Sequence, residues 1–305
     1  MNTYILSNED VTGLLTVKEC IGIIEKLFSN MENTQMPPKV YMNIPHGDFR
    51  AMPAIVDNTA GIKWCGVHLD GAKCNIFAKV LINQIDTGEL LAIMDAESIT
   101  SIRTAAVTGV ATKYMASPDS KIAAFIGCGN QTSSQVSAIC NVLDIEQVRL
   151  FDLDYDRCKQ VAVSLILESI DVVPCTNIIE CVEVADIVTT LTPSREGFLK
   201  HEWLKDRVHI NAIGADAEGK RELEPSVLEN VDFVVYDNWE QCSHSGEIQY
   251  ISHDKRKQDW FELADIVSGK ISVTGDQTLF DATGLAIEDI AAARYIYDKK
   301  ESLLV

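Results

Sequence analysis

Between Ile122 and Asp154 the chain reads as a buried strand, the turn Gly127-Cys128-Gly129-Asn130-Gln131-Thr132, a helix over QTSSQVSAICNVL, and a second strand over QVRLFDLD. Asp152 stands at the end of that second strand. Each part has a physical task. Gly127 permits a tight turn, Gly129 lets backbone N–H groups approach a pyrophosphate, and the helix N-terminus favours the phosphate charge. Asp152 lies where a carboxylate accepts hydrogen bonds from ribose hydroxyls. Thr132 occupies the place of the usual third glycine. The competing interpretation is that the glycines only shape a βα turn. An acid at 152 repels a 2′-phosphate, so NAD is the preferred cofactor; Arg149 and Arg157 keep NADP open.

The same grammar continues downstream. DRCKQVAVSLIL reads as a helix, and DVVPC, DIVTTL, VHINAIG and DFVVYD read as strands. Strands alternating with helices predict a doubly wound parallel sheet, a Rossmann α/β domain over residues 116–283. Ahead of the SPDS break at 117–120 the pattern differs. Residues Val17 to Met31 are apolar at helical spacing after Thr16 as N-cap. The alternating runs KVYMNI, FRAMPAIV, GIKWCGVHL and AKVLINQ, broken by HGD, DNTA and DTGE, predict a small antiparallel sheet or barrel. A helix follows from Ser98 to Met115. The first domain is therefore a smaller α+β sheet domain over 1–115, and the last helical stretch, GLAIEDIAAARYIYDK, is expected to return to it, adding 284–305. No internal repeat and no Gly/Ser or Pro-rich linker interrupts the chain.

Composition excludes several functions. The 26 Lys and Arg against 45 Asp and Glu give a net charge of −19, which repels a phosphate backbone and argues against a nucleic-acid partner. No apolar run approaches the roughly 18 residues of a membrane span. The opening MNTYILSNEDVTGLL is acidic where a secretory signal has a basic flank, so a cytoplasmic location is expected. Nine scattered cysteines, without a CxxC pair, read as reduced core thiols. Six histidines without HxxxH or HExxH spacing predict no metal.

The first domain carries basic residues among apolar ones: Lys39, Arg50, Lys63 and Arg103. In AGIKWCG, strand alternation points Lys63 and Cys65 to one face. Such a lysine is a candidate for a depressed pKa or for holding a carboxylate, or it snorkels from a strand. In the second domain INAIGADAEGKREL runs off a strand into a loop with Asp216 and Lys220, where doubly wound folds place ligands. Asp216 is either an acid/base or a helix cap.

The chain resembles the ornithine cyclodeaminase and μ-crystallin family, and within it the archaeal-type alanine dehydrogenases. The resembling segments run nearly end to end: PPKVYMNIPHGDFRAMPA, AGIKWCGVH, TGELLAIMDAESITSIRTAAVTGVATKYMA, FIGCGNQ, TTLTPSR, HINAIGADAEGKREL, GEI at 246–248 and FDATGLAIEDIAA. The resemblance implies a homodimer built through the N-terminal sheet domain. It implies that Lys39 and Lys63, with Arg50 nearby, bind the substrate, and that Asp216 is the catalytic acid/base, with Lys63 also catalytic. Cofactor contacts are implied at Arg103, Thr104, Asn130, Gln131, Asp152, Thr190, Ile210, Asn211, Ala212, Ile213, Lys220 and Thr283, beside Gly127 and Gly129. Where relatives carry a stretch like SHPGNPxxGLPTV, this chain has the shorter VHLDGAKCNIF, so Asn75 stands at the place of a cofactor-contacting threonine, and Asp70 and Lys73 add charge. Lys39 stands where arginine is frequent, and Ala282 where serine is frequent. The implied activity is hydride transfer at the Cα–N bond of a small L-amino or imino acid, as a dehydrogenase or imine reductase. The alternatives are an ornithine cyclodeaminase-type ammonia-lyase that recycles NAD and a non-catalytic μ-crystallin-like binding protein.

Overall fold

Local capping starts the chain. Ser7 and Asp10, then Thr16 and Glu19, form reciprocal capping boxes that satisfy the first free N–H groups of α1 (Asn8–Leu14) and α2 (Val17–Ser29). The buried side of α2 is Cys20, Ile21, Ile24, Leu27 and Phe28, the helical spacing read from the sequence. The computed structural model describes residues 3–70, 73–165, 170–251 and 260–303. They form two compact units, Met1–Ala106 with Leu285–Val305, and Val107–Gly284.

The first unit holds a seven-stranded sheet of β1 (Tyr4–Leu6), β2 (Thr34–Gln35), β3 (Val40–Ile44), β4 (Gly47–Val56), β5 (Thr59–Asp70), β6 (Lys73–Gln84) and β7 (Leu90–Asp95). Its order is β1-β7-β6-β5-β4-β2, with β3 also on β4, and every pair is antiparallel except β1 with β7. It is an open sheet rather than a barrel. Alternation sorts its faces: Met52, Ala54, Lys63, Cys65, Val67, Val80 and Ile82 are buried, while Phe49, Trp64 and Phe77 are exposed. The C-terminal helix Ala286–Ser302 packs on α2 and on β4, β5 and β6. That helix has Ile287, Glu288, Asp289, Ile290, Ala292, Ala293 and Ile296 fully buried, so two carboxylates enter the core with the apolar side chains.

The long helix α3 (Glu97–Met115) leads into the second unit. Its strands are β8 (Ile122–Ile126), β9 (Gln147–Phe151), β10 (Asp171–Pro174), β11 (Ile187–Thr190), β12 (Arg195–Leu199), β13 (Val208–Ala212), β14 (Arg221–Leu223), β15 (Phe233–Tyr236), β16 (Trp260–Glu262) and β17 (Gln277–Asp281). Eight of them form an all-parallel sheet in the order β10-β9-β8-β11-β13-β17-β15-β16; β12 and β14 pair separately. The helices include α4 (Thr132–Val142), α5 (Tyr155–Ser164), α6 (Ile178–Val182), α7 (Pro225–Asn230), α8 (Trp239–Ser245) and α9 (Leu263–Val267). Strand order reverses at β8 and β11, the switch point beside which doubly wound folds bind ligands. Separate apolar clusters lie on the two faces of this sheet, one containing Ile126, Val188, Ile210 and Leu279, the other Phe125, Val136, Ile139 and Leu150.

Candidate active site

In the second unit, Gly127 follows β8 with φ +102°, and a Cβ there would stand 2.9 Å from Leu191 O, so the turn requires glycine. Its N–H donates to Phe151 O at 2.8 Å. Gly129 differs: a Cβ would meet nothing closer than Arg157 Nη2 at 4.0 Å. The open space over Gly129 is the approach a pyrophosphate needs. Thr132 takes over the third-glycine position by donating its hydroxyl to Gly127 O at 2.9 Å, which ties the helix start to the turn. The first turn of α4 has no side-chain cap, and Gln131 Oε1 is buried without a hydrogen-bond partner. Exposed Asn130 and half-buried Gln131 complete the turn. Asp152 accepts from the Cys128 N–H at 2.7 Å and the Asp154 N–H at 2.9 Å, so the expected ribose ligand also closes the glycine loop. These features fit a dinucleotide. Arg149 donates to Gln147 and Glu180 O, whereas Arg157 flanks the loop.

At the neighbouring strand ends, Asp216 and Lys220 form an ion pair at 2.5 Å, both partly exposed. Thr190 ends β11 and is fully buried. Ile210, Asn211, Ala212 and Ile213 are buried, and the Asn211 side chain is spent inside the fold: Nδ2 donates to Thr112 Oγ1 at 3.0 Å, and Oδ1 lies 3.0 Å from His209 Nε2. Only the backbone of this stretch is left for a ligand. Thr283 follows β17, its N–H donating to Asp237 at 2.8 Å and its hydroxyl accepting from Gln241 at 2.6 Å. Asn75, with Asp70 and Lys73, has a side chain outside the described residues.

In the first unit, register places Lys63 opposite Met52 and Cys65 opposite Arg50, all on one face. Lys63 is 3% exposed. Its Nζ donates to Asp289 Oδ1 at 2.9 Å and Thr100 Oγ1 at 3.2 Å. Asp289 Oδ2 also stands 2.9 Å from Nζ, so the ammonium faces both oxygens of that carboxylate. Burial lowers the Lys63 pKa, opposed by the Asp289 charge. Arg103 donates to Asp289 Oδ1 at 3.1 Å and Glu288 Oε2 at 2.9 Å. Burial opposes its charge, but the two carboxylates outweigh that and raise its pKa. Burial likewise works against ionised Asp289, and Arg103 and Lys63 overcome it, leaving its pKa below the usual value. Thr104 is buried next in sequence on α3. Arg50 is bonded through Nε to Asp48 at 2.6 Å and set over the Tyr41 ring. Lys39 immediately precedes β3 and is half-buried.

Asp289 and Glu288, which hold the two buried cations, were not singled out as site residues from sequence. Their signal is two adjacent acids inside an otherwise apolar helix. A second unforeseen group is the set of buried carboxyls Glu222, Glu247 and Asp281. Burial pushes Glu247 up to about 9 and Asp281 up to about 8, and neighbouring carboxylates push the same way. Both are protonated in the native protein at neutral pH but ionised in the unfolded chain above about pH 4. Folding therefore takes up protons across that window, and stability declines as pH rises toward 9. Buried His209, lowered to about 4 by burial, acts oppositely, but only below about pH 6.5, where the unfolded chain protonates first. Between pH 6.5 and 9 the carboxyls dominate this set. Urea unfolding at those two pH values is expected to show a loss of at least about 1.4 kcal/mol, one pKa unit's worth, and Glu247→Gln is expected to flatten the dependence. Equal stability at both values contradicts this.

A parallel sheet with a glycine loop at its switch point, in one chain with a sheet domain that buries two cations against two carboxylates, defines the class: an α/β enzyme fold of the dinucleotide-binding type. The model of the Ornithine cyclodeaminase/mu-crystallin family matches residues 1–303, and the chain belongs to that family. The alanine dehydrogenase of Archaeoglobus fulgidus is 37% identical over 313 residues, spanning 98% of this chain and 95% of that one. An archaeal alanine dehydrogenase dimer with bound NAD superposes with a TM-score of 0.93 at 36% identity, covering 100% of this chain and 98% of that chain. The Thermococcus litoralis Δ1-pyrroline-2-carboxylate reductase in complex with NADH and L-proline superposes with a TM-score of 0.93 at 28% identity, covering 99% of each. The family likeness read from the motifs therefore holds over almost the whole chain. No described helix is long and apolar enough to cross a membrane. Among the described residues no three His, Cys, Asp or Glu side chains gather as a metal site.

Proposed function

We propose that the chain is an NAD-dependent oxidoreductase acting on the Cα–N bond of a small L-amino acid, as a dehydrogenase or in the reverse direction as an imine reductase. The observation that carries this reading is Lys63. A strand lysine that merely snorkels reaches water, whereas this one is a buried donor, charge-compensated by Asp289. Such a donor suits a substrate carboxylate or a proton transfer, and Arg50 and Lys39 add positive charge to the same domain. Asp216, ion-paired and partly exposed, accepts a proton from the substrate amine, so that the nitrogen lone pair drives hydride off Cα. Lys220 holds the Asp216 carboxylate in place. NAD, when bound, supplies the hydride acceptor. Gly127, Gly129, Asn130 and Gln131 would hold its pyrophosphate, and Asp152 its ribose. Water then converts the imine to a keto acid and ammonia.

The experiment is absorbance at 340 nm with NAD or NADP against alanine, ornithine, lysine, arginine and glutamate, with ammonia release followed in parallel. NADH appearing with ammonia supports a dehydrogenase. Ammonia without net NADH replaces it with cyclodeamination, and silence in both assays, with no oxidation of NADH by cyclic imino acids, defeats the oxidoreductase reading. The second copy expected of a homodimer finds an apolar surface in the stacked Phe49 and Trp64 rings with exposed Phe77. A monomer mass in light scattering counts against that assembly.

Asp152→Ala is expected to weaken NAD by roughly tenfold, the worth of a charge-assisted hydrogen bond. NADP binding should change less, because the variant also relieves repulsion of the 2′-phosphate. Titration of nucleotide binding checks it, and an unchanged NAD:NADP ratio removes the ribose assignment.

A further inference from the structure

Glu222, on β14, is fully buried yet is hydrogen-bonded on every side. Oε1 accepts from the Thr192 N–H at 2.6 Å and the Thr192 hydroxyl at 2.7 Å. Oε2 accepts from the Thr190 hydroxyl at 2.6 Å and the Gly214 N–H at 2.9 Å. The roughly four lone-pair sites of a carboxylate are thus all used. The donors come from two different strand ends, β11 and β13. The packing is close: a Cβ on Gly214 would stand 2.6 Å from Glu222 Oε1 and 2.3 Å from Thr192 O.

Burying a carboxylate is costly, and a well-packed apolar side chain could close two turns at less cost. What an apolar side chain cannot do is hold a backbone N–H in one direction. Gly214 is where that direction matters. Its carbonyl accepts from the Asp216 N–H at 3.1 Å and lies 3.4 Å from Lys220 Nζ. Glu222 grips one side of this residue, and the ion pair hangs from the other.

We infer that Glu222 is the positioning residue of the Asp216 loop: by anchoring the Gly214 N–H to the end of β11 it fixes the carbonyl from which Asp216 and Lys220 are oriented. The inference rests on the reading of Asp216 as the acid/base. Glu222 itself transfers no proton and touches no substrate.

A double-mutant cycle tests it. In Glu222→Gln the shape is kept, but one end of the amide presents N–H to donors. The threonine hydroxyls can turn to accept, whereas a backbone N–H of Thr192 or Gly214 cannot. The expected result is a roughly 10- to 100-fold fall in kcat, the scale of a misplaced acid/base, with NAD affinity within about threefold of wild type. In the Asp216→Asn background the same change should cost almost nothing further, because residues acting as one unit are non-additive. A purely structural role would instead lower the melting temperature and multiply through both backgrounds. Multiplying losses, or wild-type kcat in Glu222→Gln beside a slow Asp216→Asn, overturn the positioning role alone. Wild-type turnover in Asp216→Asn removes the acid/base reading and this role with it. Should Glu222→Gln not fold, Thr192→Val removes one hydroxyl donor, and with it the 3.3 Å acceptor of the Ser194 N–H, but keeps the backbone N–H bonds of Thr192 and Gly214 to Glu222; a several-fold fall in kcat that vanishes in the Asp216→Asn background is the supporting result, and its persistence there the opposing one.

Discussion

Lys63→Met is expected to lower kcat/KM by about a thousandfold, within the range for losing a positioned acid/base and charge-stabilising group, while the protein stays folded. The side chain keeps its length and apolar stem. Asp289 keeps a partner, since its Oδ1 also accepts from Arg103 Nε. Removing one member of a buried ion pair usually costs several kcal/mol because a charge is stranded; here the second cation limits that loss. The variant should therefore separate turnover from folding. NAD titration is the control, because the glycine loop, Asp152 and Asp216 all belong to the other unit. A variant with kcat within threefold of wild type takes Lys63 out of the chemistry and returns it to a structural role.

The second large effect is expected at Asp216. Asp216→Asn preserves shape and the contact with Lys220 through the amide oxygen, but cannot take a proton from the amine. A fall in kcat of about 10² to 10³ is expected, with KM for the amino acid changed far less and NAD affinity unchanged. That split marks loss of a group acting in the transition state rather than in substrate binding. Steady-state kinetics in deuterated water sharpen the test: if proton removal has been impaired, the solvent isotope effect on kcat rises above that of wild type. Equal losses in KM and none in kcat would assign Asp216 to binding.

Much of the architecture was legible because its physics is local. The strand Ile122–Ile126 is a short apolar run ended by glycine, Gln147–Phe151 alternates polar and apolar residues up to an acid, and GIKWCGVHL alternates as a half-buried strand must. Gln277–Asp281 was missed: QTLFD carries three polar residues, and its pairing with β13 and β15 comes from elsewhere in the chain. The strand Tyr4–Leu6, only three residues long, was missed as well, being a strand only by virtue of its parallel pairing with Leu90–Asp95. The site divides the same way. The glycine loop and Asp152 could be read because they are neighbours in one βαβ unit. The pairing of Lys63 with Asp289 could not, since periodicity marks Asp289 only as one more position on a helix. Asn211 looks like a ligand contact in a motif, and only tertiary packing shows its side chain consumed by Thr112 and His209. Glu222 followed the same rule, its four donors lying on segments that no spacing connects.

The bond between Lys63 and Asp289 spans 226 residues. Both Lys63 and Arg103 are synthesised early, and the carboxylates that neutralise them arrive on the C-terminal helix, after the whole second unit has been made. At translation speeds of about 5–20 residues per second, the ribosome spends roughly ten seconds or more on that interval. During it the N-terminal sheet cannot close over its cations without stranding two buried charges. The ionic balance of the first unit thus depends on two segments far apart in the chain, and without Glu288 and Asp289 the burial of Lys63 and Arg103 would strand two charges.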